Sequence, residues 1–359
     1  MSIARIIAIL IICAQVRPVQ LFERLCKKVQ DVKNDKLNIH KLFEENPQDI
    51  RKTRNGGIMK AKKGNSFVAM KQIIYKKSET IKLHIDNELS ITQSVKDNRC
   101  FPKLIECANY VNEEMVFLIF EFIEGDFGEK SPIYSAFLDT KDDFSRRMPI
   151  YKSMALCLKE LHAIGILHND LKPQNIMADS ADLSKVKIID FGLSSVFESE
   201  QSGGTIGYYP PEFTMVKGEI NASQDCTITP STSIARDIYS LGVTFAVLEF
   251  GQAALFSGFS KPYSAHSHCF NLNAYQKWIK KQIESKIEQY KRKPDNYIRA
   301  MFYSVIKRML MHYQEDRYSD AELIEEFQIL ENADLELSNA SPAINQSGLT
   351  LRHISHALI

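Results

Sequence analysis

The chain has 359 residues, which suits one large two-lobed domain or two ordinary ones, and its 44% hydrophobic and 25% charged content is typical of a soluble globular protein. The formal net charge of +1 gives no support for a dedicated nucleic-acid binder. The seven cysteines are odd in number, irregularly spaced and without a Cys-x-x-Cys pair, which predicts reduced, mostly buried thiols rather than a disulfide framework.

The chain opens with an apolar stretch, residues 3–16, whose longest run follows the positive charge of Arg5. This is the shape of a secretory signal peptide, and it is too short for a transmembrane helix of about 20 residues. The alternatives are an additional amphipathic or buried helix, or a wrongly chosen start codon. The apolar pattern leaves these alternatives open.

The first third of the chain is rich in strand patterns. Residues 17–36 are mixed and charged, and they predict a helix or a linker. Between about residues 37 and 122, alternating and apolar runs predict strands at 66–73 and 115–122, and helical spacing predicts a helix at about 79–95 between them. This part therefore predicts a small β-rich lobe that contains one helix.

The remainder, from about residue 123 to 331, is dominated by helical periods. The clearest helical patterns are at residues 148–164, 234–250, 274–290 and 299–312. Residues 332–359 are rich in Asn and Ser with few apolar anchors, and they predict a mostly disordered tail. The predicted fold class is α+β, with a small antiparallel sheet lobe that contains one helix, followed by a larger, mainly helical lobe.

Polar chemistry begins at Asp170 and Asn175, on a loop that follows an apolar strand-like run and is braced by Pro173. A carboxylate placed five residues before an amide can face the same site as that amide. The carboxylate can orient a hydroxyl and accept its proton, and an amide oxygen is a hard ligand that suits Mg²⁺.

A second carboxylate, Asp190, closes the apolar run of residues 186–189 and is followed by Phe191 and Gly192. We expect Gly192 to supply backbone freedom and Phe191 to be an apolar anchor beside a metal-binding group. Asp-Phe-Gly alone is a weak signal. Its position after a strand and its distance from Asp170 strengthen it.

A cation, Lys71, lies in the strand that begins at about residue 66. An ammonium group there can hold phosphate oxygens, provided that a carboxylate fixes its position. Glu88 on the following helix is the best candidate for this carboxylate. Asp86 is the alternative that lies nearby.

Taken together, these segments resemble the signature set of the eukaryotic protein kinase family. The matches cover about residues 37–331 and fall in the family's order. They are Val68-Ala69-Met70-Lys71, residues 168–175, Asp190-Phe191-Gly192, Pro210-Pro211-Glu212, the helical segment 237–242 with its Asp237, and Arg317 as partner of the Glu212 carboxylate.

The resemblance implies a role for each matched polar group. Asp170 would orient the substrate hydroxyl and take its proton, and Lys172 would steady the transferring phosphoryl group. Asn175 and Asp190 would hold Mg²⁺. Catalysis in this family is mainly positioning and charge stabilisation, so loss of one of these groups should lower the rate rather than unfold the protein.

The resemblance also implies an ATP site. Lys71, fixed by Glu88, would hold the α- and β-phosphates. The residues that would enclose the adenine, close the back of its pocket or offer hinge backbone groups are Ile58, Ala69, Phe120, Glu121, Ile123 and Met177.

The kinase class follows from two features. Lys172, two residues after Asp170, is the serine/threonine pattern, and Gly204-Thr205 before Tyr208 agrees with it, because that threonine contacts the catalytic loop in such enzymes. A small-molecule phosphotransferase of the choline or aminoglycoside type shares the aspartate-to-asparagine loop, but it lacks the Pro-Pro-Glu element. A pseudokinase that binds nucleotide or serves as a scaffold, with little catalysis, is the main alternative.

Two departures from the family pattern stand out. The glycine-rich loop keeps only its third glycine, Gly56, while Arg51 and Thr53 occupy the first two positions. Side chains at these positions keep the backbone from approaching phosphates closely. Asn169 stands where the family has the arginine that pairs with a phosphorylated activation loop, which predicts activity independent of such phosphorylation.

The domain organisation implied is an extension at 1–36, a kinase domain at 37–331 with lobes at about 37–122 and 123–331, and the tail at 332–359. The implied cofactors are ATP and Mg²⁺, and the implied partners are proteins with Ser or Thr acceptors. We expect no nucleic-acid partner and no stable membrane span. The need for ATP favours a cytoplasmic location over secretion, and the sequence does not indicate an oligomeric state.

Overall fold

The computed structural model of the protein describes residues 21–29, 47–53, 55–140, 143–197, 204–205, 207–208, 210, 214–215, 227–228, 233–251, 272–291 and 296–347. The apolar stretch 3–16 lies outside these residues, as do Pro211 and Glu212 of the predicted Pro-Pro-Glu element. Within the described part of the chain, no helix is both long enough and apolar enough to cross a membrane.

The amino-terminal part is a six-stranded sheet. Its strands are β1 (Lys27–Val29), β2 (Gln48–Thr53), β3 (Gly56–Lys63), β4 (Ser66–Ile74), β5 (Leu104–Tyr110) and β6 (Met115–Glu121). Their order is β1-β5-β6-β4-β3-β2, with β1 parallel to β5 and all other neighbours antiparallel. Strand β6 lies in the interior of the sheet, where its continuous apolar run is buried from Met115 to Phe120.

Two helices accompany this sheet, α1 (Leu21–Leu25) and α2 (Glu79–Ser94). The side chain of Ser78 caps α2 by accepting a hydrogen bond from the N–H of Ile81. The apolar positions Ile85 and Leu89 are buried in one cluster with strand β6, so α2 packs on the sheet through the face that its helical period predicts.

The carboxy-terminal part is mainly helical. Its helices are α3 (Pro132–Asp139), α4 (Phe144–Ala163), α5 (Ile234–Phe250), α6 (Leu272–Lys291), α7 (Tyr297–Met309) and α8 (Asp320–Ser347). Helix α5 is buried at every position from Ala235 to Glu249, because the other elements of this part surround it. The two-lobed α+β fold predicted from the sequence is thereby confirmed. The sheet was expected to be antiparallel with one helix, whereas β1 pairs in parallel with β5 and α1 is a second helix.

Short strands place the polar loops. They are β7 (Gly125–Asp126), β8 (Ile166–Leu167), β9 (Ile176–Asp179), β10 (Asp182–Ile188), β11 (Ser195–Val196), β12 (Thr214–Met215) and β13 (Thr227–Ile228). Strands β10, β9 and β7 form one small sheet, β11 pairs with β8, and β12 pairs with β13. The loop 168–175 joins β8 to β9, and Asp190 follows β10, so both loops emerge next to each other.

The predicted strands and helices are confirmed, with shifts of a few residues at their ends. Two regions differ from the prediction. Residues 21–29 form a short helix and a strand, within a segment where the pattern suggested a helix or a linker. Helix α8 continues past residue 331, where a disordered tail was expected, and Ala333 in this continuation is buried.

The cysteine prediction is wrong for four residues. Cys26 is bonded to Cys107, and Cys100 to Cys157. The partners are separated by 81 and 57 residues along the chain, so only the folded structure brings them together. Count and spacing could not reveal these pairs, because disulfide formation depends on the proximity of Cα atoms rather than on sequence intervals.

Candidate active site

A cleft of about 1430 Å³ is lined by residues of both the sheet and the helical part. Every candidate site residue of the sequence lies on its wall. These residues are Ile58, Ala69, Lys71, Glu88, Phe120, Glu121, Ile123, Asp170, Lys172, Asn175, Met177 and Asp190. Residues far apart in the sequence are thus brought to one site.

Lys71 is held by two carboxylates. Its Nζ donates to both oxygens of Glu88, at 2.9 and 2.6 Å, and to Oδ1 of Asp190 at 2.8 Å. Burial alone would lower the pKa of Lys71, but the charges of Asp190 and Glu88 raise it above its ordinary value. The charge of Lys71 in turn lowers the pKa of Asp190 to about 2. Both groups are therefore charged at neutral pH.

The Asp170 carboxylate has three side-chain neighbours. Thr205 Oγ1 donates to its Oδ1 at 2.6 Å, and Lys172 Nζ donates to its Oδ2 at 2.6 Å. Lys172 Nζ also donates to Thr205 Oγ1 at 2.7 Å. The amide nitrogen of Asn175 donates to the backbone oxygen and to Oδ2 of Asp170. The predicted contact between Thr205 and the catalytic loop is present in this arrangement.

A buried carboxylate on α5 holds the backbone of the same loop. Asp237 accepts hydrogen bonds from the N–H of His168 at 2.6 Å and from that of Asn169 at 2.9 Å. Its Oδ2 also contacts His162 Nε2 at 3.1 Å, while Asp320 contacts the other ring nitrogen. The loop is therefore anchored to helices α4, α5 and α8.

Asp190 adopts the left-handed conformation, with a φ of +69°. Gly192, which was expected to supply the backbone freedom at this turn, does not have a positive φ. Phe191 is buried, with its ring 5.7 Å from both Phe101 and His168. The apolar anchor predicted for Phe191 is confirmed, and the unusual backbone lies one residue before it.

Strands β2 and β3, together named here the lid, pair antiparallel with a shift of register between Asp49 and Arg51. Arg51 pairs with Ile58 and Thr53 pairs with Gly56, so both non-glycine positions lie in the strand ladder. Gly56 has a φ of +150°, and a Cβ there would lie 2.0 Å from the backbone oxygen of Gln72. Glycine at this position is thus required by the neighbouring strand.

Asn169, the other departure, bridges two loops. Its Nδ2 donates to the backbone oxygen of Leu193 and to Ser195 Oγ, each at 2.9 Å. Ser194 and Ser195 are both buried, and Ser194 Oγ donates to the oxygen of His168. A neutral amide therefore ties the catalytic loop to the segment after Phe191.

The cleft suits a magnesium nucleotide. Ile58, Ala69 and Met177 provide apolar walls, and the polar groups gather at Lys71 and Asp190. Asp190 is ionised at neutral pH, and the amide nitrogen of Asn175 is used by Asp170, so the Asn175 oxygen is the side-chain atom that could face a cation. This donor set fits a hard, oxygen-seeking metal.

The model of the protein kinase domain matches residues 53–328, which is more than half of the chain. This chain belongs to the protein kinase family. The extension before residue 53, including α1 and β1, lies outside the matched segment.

Several kinases of known sequence are similar to parts of this protein kinase. A probable serine/threonine-protein kinase of Dictyostelium discoideum is 31% identical over 159 residues, which are 43% of this chain and 20% of that protein. A calcium/calmodulin-dependent protein kinase kinase of Emericella nidulans is 32% identical, covering 28% of this chain and 18% of its own length. A serine/threonine-protein kinase of Saccharomyces cerevisiae is 28% identical, over 44% and 18%. The aligned segments thus span about a fifth of these relatives.

Other residues of the kinase cleft carried no signal in the sequence. Asp126, in β7, lies 3.8 Å from a guanidinium nitrogen of Arg51 in the lid, and it accepts a hydrogen bond from the N–H of Gly128. His84 on α2 lines the cleft near Gly192.

Arg317, predicted to pair with Glu212, is buried and donates to the backbone oxygens of Ala235, Met311 and His312. Glu212 itself is outside the described residues.

Proposed function

We propose that this chain is an active protein serine/threonine kinase that uses ATP and Mg²⁺. One observation carries the proposal. The Asp170–Lys172–Thr205 group and the Lys71–Glu88–Asp190 group face the same cleft with their side chains in hydrogen-bonding contact. A site that holds both groups in place supplies the positioning that phosphoryl transfer requires.

Asp170 is the group that would act on the acceptor hydroxyl. Its Oδ1 accepts a hydrogen bond from the Thr205 hydroxyl, which shows that this oxygen can receive an O–H donor at 2.6 Å. A substrate Ser or Thr hydroxyl would be oriented by the same carboxylate and would lose its proton to it. Lys172, already bound to Asp170 and Thr205, would stabilise negative charge on the transferring group.

Lys71 is the group that would hold the nucleotide. Glu88 fixes its ammonium group at the back of the cleft, where it can contact phosphate oxygens. Asp190 and the oxygen of Asn175 would hold Mg²⁺. When bound, ATP supplies the phosphoryl group and Mg²⁺ neutralises part of its charge. Ile58, Ala69 and Met177 would then exclude water from the two faces of the adenine.

A pseudokinase is the second candidate, and Arg51 and Thr53 in the lid are the observation that favours it. Both residues lie in paired strand positions, so the lid does not present the glycine backbone that closes over phosphates in the family. We nevertheless propose activity, because the side chains that would bind phosphate, metal and hydroxyl all line one cleft.

The two candidates are separated by a direct assay. The purified full chain is incubated with labelled ATP, Mg²⁺ and a library of Ser- and Thr-containing peptides, beside Asp190→Ala. Asp97→Ala, an exposed aspartate outside the cleft, is the matched control. We expect transfer by the wild type and Asp97→Ala, and a loss of at least about a hundredfold in Asp190→Ala. A folded wild type with turnover no higher than that of Asp190→Ala would establish the pseudokinase.

We further propose that activity does not depend on phosphorylation of the activation segment. The amide of Asn169 holds Leu193 and Ser195 through neutral hydrogen bonds, at the place where the family uses an arginine and a phosphate. The buried state of Ser194 and Ser195 supports the same proposal, since a kinase acting in trans could not reach their hydroxyls in this conformation.

A further inference from the structure

Residues 21–29, named here the brace, pack across α2 although they lie outside the segment that matches the kinase domain. Helix α2 carries Glu88, the carboxylate that fixes Lys71. The brace comprises α1, Cys26 and β1, and it contacts both the helix and the sheet. It is therefore placed to influence where Glu88 stands.

Phe22 is the apolar contact of the brace. It is fully buried, and its ring lies 5.3 Å from that of Tyr75, which follows β4. It shares one cluster with Ile85 and Leu89 of α2 and with apolar residues of β6, including Leu118. Phe22 thus fills the junction between the helix and the sheet, and its removal would leave a cavity beside α2.

Asp86 is the polar contact. Its Oδ1 accepts a hydrogen bond from the backbone N–H of Phe22 at 2.9 Å. Asp86 lies two residues before Glu88, on a different side of the helix, and it was the alternative partner for Lys71 in the sequence. In the structure it binds the brace, while Glu88 binds Lys71. One turn of α2 is therefore held from both sides.

The brace is itself anchored to the sheet. Strand β1 pairs in parallel with β5, with Lys27 opposite Ala108 and Val29 opposite Tyr110. The Cys26–Cys107 disulfide covalently links the residue before β1 to strand β5. The strand pairing and the disulfide fix the brace to the sheet, so that Phe22 can restrain α2. A segment attached only to α2 would move together with that helix.

We propose that the brace holds α2 in the position in which Glu88 reaches Lys71, and that Phe22 and Asp86 are positioning residues for catalysis. The inference rests on the proposed kinase activity, because the Lys71–Glu88 pair matters for phosphoryl transfer. Helix α2 also contacts the segment after Phe191, where Asn87 Nδ2 donates to the oxygen of Ser194, so its displacement would disturb two parts of the site.

The test is a double-mutant cycle in the full chain. Phe22→Ala should lower kcat about tenfold in the wild-type background, since the Lys71–Glu88 pair is lost in a large fraction of molecules. In a Glu88→Gln background the same change should lower kcat less than about twofold, because the pair is already broken. Asp86→Ala should behave like Phe22→Ala. Leu25→Ala, an exposed position of the brace, is the matched control and should change neither value.

Thermal unfolding separates positioning from stability. If the brace only stabilises the fold, Phe22→Ala should lower the melting temperature equally in the wild-type and Glu88→Gln backgrounds. Below that temperature, kcat should then be unchanged, or it should fall by the same factor in the two backgrounds. Either of these kcat results overturns the proposal. Phe22→Leu, which keeps an apolar side chain in the site, should recover at least about half of the lost kcat.

Amide hydrogen exchange tests the effect of the brace on α2 independently of catalytic activity. In Phe22→Ala and Asp86→Ala, the amides of residues 79–94 should exchange at least about tenfold faster than in Leu25→Ala, while those of α5 remain unchanged. Unchanged exchange in α2 overturns the proposal. If the wild type shows no turnover, the proposed function fails, and the exchange result still decides whether the brace holds α2.

Discussion

Thr205 lies between the two groups that we propose for catalysis, since its hydroxyl donates to Asp170 and accepts from Lys172. Thr205→Val should lower kcat about tenfold with little change in the KM for ATP, because the lost hydroxyl orients Asp170. Steady-state kinetics of Thr205→Ser supply the control. Serine keeps the hydroxyl and should retain at least about half of kcat. Equal losses in both variants would contradict the role of the hydroxyl.

Asn169 offers a second test on a single residue. Its φ is +68°, so Asn169→Gly removes the side chain without straining the backbone. We expect about a tenfold lower kcat, because Leu193 and Ser195 lose their hydrogen bonds to the catalytic loop.

Phosphatase treatment of the wild type, with mass spectrometry of the segment from Asp190 to Glu212, tests the proposed independence from phosphorylation. Activity should survive treatment. Loss of activity together with loss of a phosphate from that segment would show that activity depends on this phosphorylation.

The structure brings together the polar groups that the sequence singled out. Lys71, Asp170 and Asn175 were proposed from their chemistry, while the resemblance to the kinase family favoured Glu88 over Asp86. In the structure Lys71 contacts Glu88, and Asn175 contacts Asp170. The positive φ of Asp190 was not predicted, because aspartate is enriched in the left-handed region but a sequence does not show which aspartate adopts it. The contact of Asp86 with the brace depends on tertiary packing, which no local pattern encodes.

Three helices meet at His162, which contacts Asp237 and Asp320 at 3.1 and 2.9 Å. Burial opposes the charged ring, but the hydrogen bonds to the two carboxylates raise the pKa of His162 from 6.5 to about 9. The folded pKa exceeds the unfolded value. The stabilisation is therefore complete below pH 6.5 and is lost as pH rises towards and through 9.

The free energy of unfolding, measured with urea across this pH window, should fall by on the order of 3 kcal/mol more in the wild type than in His162→Gln. The variant subtracts the contribution of all other titrating groups. Parallel pH profiles of the two proteins would contradict the raised pKa. The helix termini joined here belong to α4, α5 and α8, so the same variant should also loosen the catalytic loop above α5.

Helices and strands with a clear apolar pattern could be predicted from the sequence. Those that depend on contacts with other parts of the fold could not. Strand β6 and helix α5 follow from their apolar runs, and both match within a residue. Strand β1 has three residues, two of them lysines, and exists because β5 offers a pairing edge. Helix α8 continues through Asn- and Ser-rich residues because Ala333 and Leu337 pack on the core, a contact that composition cannot show.

At the scale of the whole molecule, the two disulfides bear on the redox environment in which the kinase folds. The sequence predicted reduced thiols, and four of the seven cysteines are paired. Cys26–Cys107 ties the brace to the sheet. Cys100–Cys157 ties the loop after α2 to helix α4, so the second bond links the sheet part to the helical part. The first bond lies within the amino-terminal part, and the second joins the two parts that line the cleft.

Alkylation of the denatured, unreduced protein followed by peptide mapping tests these bonds. We expect Cys26 with Cys107 and Cys100 with Cys157 in linked, unalkylated peptide pairs. Each bond closes a loop of more than 50 residues and should contribute about 2–4 kcal/mol by restricting the unfolded chain. Replacement of Cys100 and Cys157 by Ser should therefore lower the melting temperature by about 5 °C or more. Full alkylation of all four cysteines in freshly isolated protein would contradict the two disulfides and indicate that the chain folds in a reducing compartment. Retention of the pairs would instead require an oxidising environment in which the kinase folds, because such bonds do not persist in contact with cytosolic thiols.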